Sequence, residues 1–276
     1  MTDILQLSHH SYFISEESPI TVERRHYQPP FPLHRHDFNE IVIISAGNGI
    51  HFWNDEIHPI TTGNVLYIES GDKHKYGEVD KLKLDNILYR PEKLSLFPIM
   101  KDYIPHNNEK KSLRINQETL VQLQSLISQL EIESKKTNKS SMHLSEAIFL
   151  QILILICRTQ QQENKAYSDI SKLESLFSAL NQSISQEFYL ADFCRQHQLA
   201  VSSVRRIFKQ QTNMTIAQYL QKLRLCRAAT LLRNTSESVA NIAIRCGYSD
   251  SNYFSSVFGK TFSCTPTEYR SRFIKK

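Results

Sequence analysis

From Ser238 to Phe258 the chain places apolar residues at helical spacing, stops at one glycine, and starts again. Ser238 is a residue of the kind that caps a helix, and Val239, Ile242 and Ala243 follow on one face until Gly247, whose missing Cβ allows a tight turn. Beyond the turn Phe254, Val257 and Phe258 form a second stripe at i, i+3, i+4, while Ser251, Asn252, Ser255 and Ser256 take the opposite face. The pattern predicts a helix-turn-helix whose second helix has an apolar back and a hydrogen-bonding front. Thr265-Pro266-Thr267-Glu268 predicts one more helix, with a threonine cap, a proline at the first helical position and a glutamate three residues after the cap.

A looser copy lies upstream. Leu190, Phe193 and Cys194 lead through a break at Gln198-Leu199-Ala200 into a helix in which Val204 and Phe208 point inward and Ser202, Arg205, Arg206 and Lys209 point outward. Between the copies, residues 216–232 read as one long helix with Tyr219, Leu220, Leu223 and Leu231 on its buried side. Such a connector can hold two recognition helices in successive major grooves, roughly 34 Å apart.

The N-terminal half changes period. Ile20-Thr21-Val22-Glu23 and residues 40–45, 50–53, 64–68 and 81–89 are short β-rich runs, split by turn signals at Gly47-Asn48-Gly49, Asn54-Asp55, Thr62-Gly63 and Ser70-Gly71. Strands at this spacing predict a sandwich or barrel. Two helical stripes follow: Leu120, Leu123, Leu126-Ile127 and Leu130, then Leu144, Ala147-Ile148, Leu150, Ile152 and Leu155-Ile156. The second is apolar on nearly all sides, so it is buried against the barrel or against another chain. Residues 160–165 are polar and featureless and read as a linker, after which Leu173, Leu176-Phe177, Leu180 and Ile184 open the C-terminal domain. The run 148–157 is interrupted by Gln151 and reads as too short to span a bilayer, and no signal peptide is visible at Met1-Thr2-Asp3, so a cytoplasmic protein with no membrane partner is expected.

A plain all-helical domain would share these stripes; charge separates the two readings. Residues 188–276 carry fourteen Lys and Arg against four Asp and Glu, whereas residues 1–187 carry nineteen against twenty-four. A whole-chain charge of +5 thus conceals a strongly basic C-terminal third, the footprint of a phosphate-binding surface. The five cysteines, 157, 194, 226, 246 and 264, have no CxxC spacing and are expected as reduced core thiols.

Candidate chemistry in the β-rich half centres on His34-Arg35-His36-Asp37-Phe38-Asn39-Glu40, with Gly63 and Gly71-Asp72-Lys73-His74 further on. Together these resemble the two signature motifs of the cupin jelly roll, with Glu69 in place of the usual proline. His34, His36, Glu40 and His74 match the metal-binding positions of catalytic cupins, and imidazoles with a carboxylate suit a divalent transition metal. Three readings stay open: a metal-free pocket that hydrogen-bonds a small polyol, a divalent metal that helps bind the ligand, and side chains that merely satisfy one another. Phe52, Trp53 and Tyr67 are candidate stacking partners for a sugar, and strand alternation places only some of them inward.

The C-terminal third resembles the AraC/XylS transcriptional regulators. The likeness rests on Arg224, Ala228 and Leu231-Leu232, then Ile242-Ala243, Gly247-Tyr248-Ser249-Asp250, Tyr253-Phe254, Phe258, Thr265-Pro266 and Tyr269-Arg270. Asn213 and Ser263 stand where that family has glycine after each recognition helix; asparagine tolerates a left-handed backbone, serine less so. By this resemblance Ser202, Arg205 and Arg206, and Ser251, Asn252, Ser255 and Ser256, match base-contacting positions, with Lys209 on the same outward face. Arginine can fork onto guanine and Asn252 can pair with adenine. Within the family, His36-Asp37-Phe38, residues 40–43, Gly47-Asn48-Gly49-Ile50-His51, Asp72-Lys73-His74 and residues 86–90 are similar to activators of L-rhamnose operons, which implies L-rhamnose as inducer.

The sequence therefore predicts an α+β chain: a cupin-like jelly roll over 1–110, a helical dimerisation segment over 111–160, a linker over 161–170, and an all-α DNA-binding domain with two helix-turn-helix units over 171–276. Its expected role is a sugar-gated transcription activator, not an enzyme, requiring no cofactor. Double-stranded DNA, a small sugar, RNA polymerase and a second copy of the chain are its expected partners. A repressor of the same architecture and a metal-dependent cupin enzyme acting on a sugar are the alternatives.

Overall fold

The computed structural model describes residues 4–54, 56–105, 112–162 and 169–272. Two compact units emerge, one of residues up to 49 with 60–166, the other of 50–59 with 167 onward.

The first unit is built on an eight-stranded mixed sheet, of which residues 50–59 of β4 and β5 count with the second: β1 (Leu5–Leu7), β2 (Ile20–Arg25), β3 (Phe31–His36), β4 (Asn39–Trp53), β5 (Glu56–Thr61), β6 (Asn64–Ile68), β7 (His74–Tyr89) and β8 (Ser112–Arg114). The order is β1-β3-β7-β4-β6-β8, with β2 on β7 and β5 on β4. β1 runs parallel to β3, while β2 and β3 pair antiparallel to β7. Alternation along the strands sends side chains to two buried faces. Ile41, Ile43, Val65, Tyr67, Ile87 and Tyr89 join one cluster with the helices α2 (Gln117–Ser134) and α3 (Lys139–Gln162). Their neighbours Val42, Ile44, Leu66 and Ile68 join another with Tyr76, Leu82 and Leu84. Two buried faces explain why these strands read as continuous apolar runs. A short helix, α1 (Phe97–Met100), lies between β7 and β8, held by buried Glu146, which accepts from Ser95 Oγ and Leu96 N, both at 2.7 Å.

Two sequence expectations need correction here. Gly47-Asn48-Gly49 does not split two strands, because β4 runs through it; Gly47 has φ +77°, and a Cβ there would lie 2.2 Å from the Lys81 carbonyl, as at a bulge where two backbones approach closely. The apolar run 148–157 is only part of α3, whose residues 139–159 are long and apolar enough to cross a membrane by length and composition. Much of that apolarity is core: Ile148, Phe149, Ile152, Leu153 and Ile156 are buried in the cluster under the sheet. The linker expected over 161–170 falls mostly outside the described residues, between the end of α3 at Gln162 and the start of α4 (Asp169–Gln182).

The second unit is helical. After α4 come α5 (Leu190–Gln196), α6 (Val201–Thr212), α7 (Ile216–Asn234), α8 (Val239–Arg245), α9 (Ser251–Phe262) and α10 (Pro266–Ser271). Both expected helix-turn-helix units are present, α5–α6 and α8–α9. Helix α7, opened by a Thr215–Gln218 capping box, serves two cores: Ile216, Tyr219 and Leu223 pack with Phe177, Phe193 and Phe208, and Ala228, Leu231 and Leu232 pack with Ile242, Phe254 and Phe258. α10 begins with the Thr265–Glu268 capping box foreseen from its sequence. Four of the cysteines are buried and all are free; burial pushes the Cys246 thiol up to about 11.

Asn213 and Ser263 close α6 and α9 in the left-handed conformation, each with φ 56°. Such a backbone costs an ordinary L-residue roughly 1–2 kcal/mol. Ser263→Gly should therefore stabilise the protein by about 1 kcal/mol, read as a raised urea midpoint at constant slope, and Asn213→Gly should gain less.

Candidate functional site

Two sites emerge, a cavity in the β-unit and the outward faces of α6 and α9. The cavity, about 180 Å³, is smaller than the roughly 300–1,000 Å³ of pockets for drug-sized ligands. That size selects a small molecule. Because strand side chains alternate, His34 and His36 on β3 point to the same side, and register sets His34 opposite His74 on β7. Glu40 arrives one residue into β4. All four predicted pocket residues line the cavity and are at most 5% exposed.

Their roles differ. His34 donates from Nδ1 to the Pro32 carbonyl at 3.0 Å, and its ring centre lies 4.0 Å from that of His74. Burial lowers its pKa, with the Pro32 hydrogen bond and the Glu40 charge opposing, which favours the neutral ring. His36 donates from Nδ1 to the Phe38 carbonyl at 2.6 Å and stacks on the Phe38 ring. Its Nε2 faces Glu40 Oε2 at 3.3 Å, and His74 Nε2 lies 3.7 Å from the same oxygen. Burial works to lower the His36 pKa, but the Glu40 hydrogen bond and charge outweigh it and raise it. The donor atoms of His36, Glu40 and His74 lie within 4.8 Å of one another, so these three could hold a divalent metal; His34 is outside that group.

The remaining wall was not foreseen. Glu23, Arg25, Gln28, Tyr76 and Asn86 add polar groups, and Tyr12, Tyr27, Phe31 and Phe38 add aromatic surface. Register explains two of them, since Glu23 pairs with Asn86 across β2 and β7. The signal was the alternation of Ile20 and Val22 with Glu23 and Arg25, whose polar side chains stand at the mouth of the cavity, still partly in solvent. Of the suggested aromatics, Tyr67 is on the opposite face, packed with the helices, and neither Phe52 nor Trp53 lines the cavity.

On α6, Ser202, Arg205, Arg206 and Lys209 are all exposed, while Val204 and Phe208 are buried behind them. On α9, Asn252 and Ser256 are exposed, but Ser251 and Ser255 are half-buried, and Ser255 Oγ donates to the Ser251 carbonyl at 2.8 Å. Asp250 caps this helix by accepting from the amides of Asn252 and Tyr253. Tyr253, 56% exposed, stands beside Asn252 on the same outward side, which its place next to buried Phe254 in the family motif conceals. The turn before α9 is fixed by Gly247, at φ +77°: an added Cβ would lie 2.6 Å from the Ile184 carbonyl.

A small-molecule cavity on a mixed sheet, joined in one chain to two helix-turn-helix units, the first with a basic and the second with a hydrogen-bonding outward face, defines a ligand-responsive DNA-binding regulator. Residues 19–153 match the AraC-like ligand binding domain, and residues 193–272 match a helix-turn-helix domain. The chain is 40% identical to the HTH-type transcriptional activator RhaR of Pectobacterium carotovorum, over 98% of this chain and 96% of that protein. It is also 40% identical to the RhaR of Yersinia pestis, over 98% and 95%. The chain belongs to the AraC family of helix-turn-helix transcriptional regulators, as a RhaR-like activator that binds double-stranded DNA, and it is not an enzyme.

Proposed function

We propose that this chain is a cytoplasmic activator of carbohydrate catabolism genes, gated by L-rhamnose bound in the β-unit cavity. The observation behind this reading is the cavity itself: small, walled by Tyr12, Tyr27 and Phe31, and floored by the buried His34, His36, Glu40 and His74. Aromatic faces suit the apolar side of a sugar, and a neutral imidazole beside a carboxylate suits its hydroxyls. The RhaR likeness supports rhamnose as that sugar. Calorimetric titration with L-rhamnose beside L-arabinose, L-fucose and D-xylose, with and without a chelator, tests it. Heat selective for rhamnose is expected; equal heats or none overturn the rhamnose reading, and loss on chelation means that sugar binding needs a metal.

Gating needs differential affinity. A hundredfold gain in DNA binding requires about 2.7 kcal/mol of coupling, and DNA must then tighten sugar binding equally. α6 and α9 read the bases, through Arg205, Arg206 and Asn252 foremost, with Ser202, Lys209, Ser251, Ser255 and Ser256 on backbone or secondary contacts. Arg206→Ala should cost about 1–3 kcal/mol at the preferred site and relax base choice there, measured by anisotropy on an enriched duplex and a scrambled one. An equal loss on both would make Arg206 a phosphate anchor. The active form is a homodimer that contacts RNA polymerase. Val121 and Ile132 on α2 and Leu144 on α3 are 56%, 61% and 48% exposed, an apolar surface for a second copy. Sedimentation of the wild type against Val121→Asp/Ile132→Asp tests it.

A further inference from the structure

We propose that His9, His10 and Glu16 form a binding site for a divalent transition-metal ion on the outside of the β-unit, apart from the cavity. These residues lie between β1 and β2, the two histidines opening a single 3₁₀ turn. Their ring centres are 4.1 Å apart, and Glu16 reaches back to both: Oε2 is 3.4 Å from His9 Nε2, and Oε1 is 2.6 Å from His10 Nδ1. One ligand atom from each residue lies within 4.8 Å of the others.

Asp37 gives the site its direction. Its Oδ2 accepts from His9 Nδ1 at 2.9 Å, while its carboxylate also accepts from the His9 amide at 2.7 Å and from Ser8 Oγ at 3.1 Å. The proton of a neutral His9 is therefore held on Nδ1, and the lone pair of Nε2 faces the Glu16 carboxylate. The Arg90 guanidinium lies beside this carboxylate, Nη1 at 3.8 Å from Oε2, but not between the two electron-rich atoms, where either a second proton or a metal fits. A carboxylate behind a histidine is the usual outer support of a metal-bound imidazole.

Dimensions and donor type favour the metal. With bonds of about 2.0–2.1 Å, tetrahedral ligands sit roughly 3.3 Å apart. The His9–Glu16 pair already has that spacing, and the His10–Glu16 pair reaches it by opening less than about 1 Å, which its exposed side chains permit. Two imidazoles and a carboxylate suit nickel, copper, cobalt or zinc over calcium or magnesium. Side-chain exposures of 22%, 66% and 63% leave room for water in the remaining position.

The site closes the loop from His9 to Glu16 around Tyr12 and Phe13, both packed edge-on against Phe38. Tyr12 also lines the cavity, so the bound ion staples one wall of it. The metal site itself stands on its own geometry and does not depend on which ligand the cavity takes.

The test is calorimetric titration of the full chain, freed of metal by chelation and dialysis, with nickel chloride. Wild type is expected to take up one nickel equivalent that His10→Ala and Glu16→Gln weaken at least about tenfold, and that His74→Gln leaves in place. Asp37→Asn should weaken it by about 10–100-fold. Because His10 and Glu16 are exposed, their loss does not threaten the fold. No nickel uptake by wild type, or the same uptake in His10→Ala and Glu16→Gln, would overturn the site. Amide exchange over residues 11–15 should slow with nickel in wild type alone; uptake without slowing would overturn the staple.

Discussion

Arg224→Ala should cost the helical unit about 3 kcal/mol, the largest loss expected from any single side chain outside its apolar cores. Arg224 lies on α7, and its guanidinium donates to three carbonyls from two segments: Nε to Ile184 at 3.0 Å, Nη2 to Gln186 at 2.7 Å, and Nη1 to Gly247 at 3.1 Å. Two of these lie on the connection between α4 and α5, and the third in the turn of the second helix-turn-helix. A hydrogen bond from a charged group contributes about 1.5–3 kcal/mol, but the three are partly solvated and not additive. Removing the fork also leaves carbonyls unpaired at a turn whose backbone already needs Gly247. Urea unfolding should show a midpoint well below wild type. Arg224→Lys should recover little, because one ammonium cannot span three acceptors held in a fork. A loss under 1 kcal/mol would mean that water replaces the clamp.

The second large effect is expected at Glu40. The His36–Glu40 pair is at most 6% exposed at its side chains, and removing one partner of a buried ion pair typically costs about 3–5 kcal/mol because the other is left buried without it. Glu40→Ala should lower the thermal midpoint of the β-unit and abolish the heat of sugar binding. Glu40→Gln keeps the shape, so it should lose most of the binding with less of the stability. Equal losses from both would make Glu40 a purely structural group, and unchanged sugar binding in Glu40→Gln would remove the carboxylate from ligand recognition.

Legibility in the sequence followed how local each signal is. The two helix-turn-helix units were readable because helical period, caps and turn residues all fall within about twenty residues of one another, and the structure places even Asn213 and Ser263 in the left-handed turns their positions suggested. The β-unit was harder. Gly47-Asn48-Gly49 carries the local signature of a hairpin, and only the close approach of β7, far away in sequence, holds it within one long strand. The histidines of the pocket stood out because rare residues cluster in a motif. Glu23, Arg25 and Asn86 did not, since a polar residue alternating with apolar ones looks the same whether it faces water or a cavity. His9, His10 and Glu16 form no motif in sequence, where a histidine pair six residues before a glutamate carries no spacing of its own; the 3₁₀ turn and the loop behind it bring them together.

Helix α7 belongs to two cores, and this sets an order of events during synthesis. Within the helical segment, everything the first core requires, from Leu176 through Leu223, precedes what the second draws from that segment, Leu225 through Tyr269. Chains fold as they emerge, N-terminal parts first. The first helix-turn-helix can therefore close while the second is still unmade, with the far half of α7 showing Leu225, Leu231 and Leu232 to the cellular milieu until Phe254 and Phe258 arrive. In this interval the nascent protein displays an apolar face that the second core later covers, so a pause after residue 232 has left the ribosome and before residue 254 has would favour aggregation more than one before residue 216 has emerged.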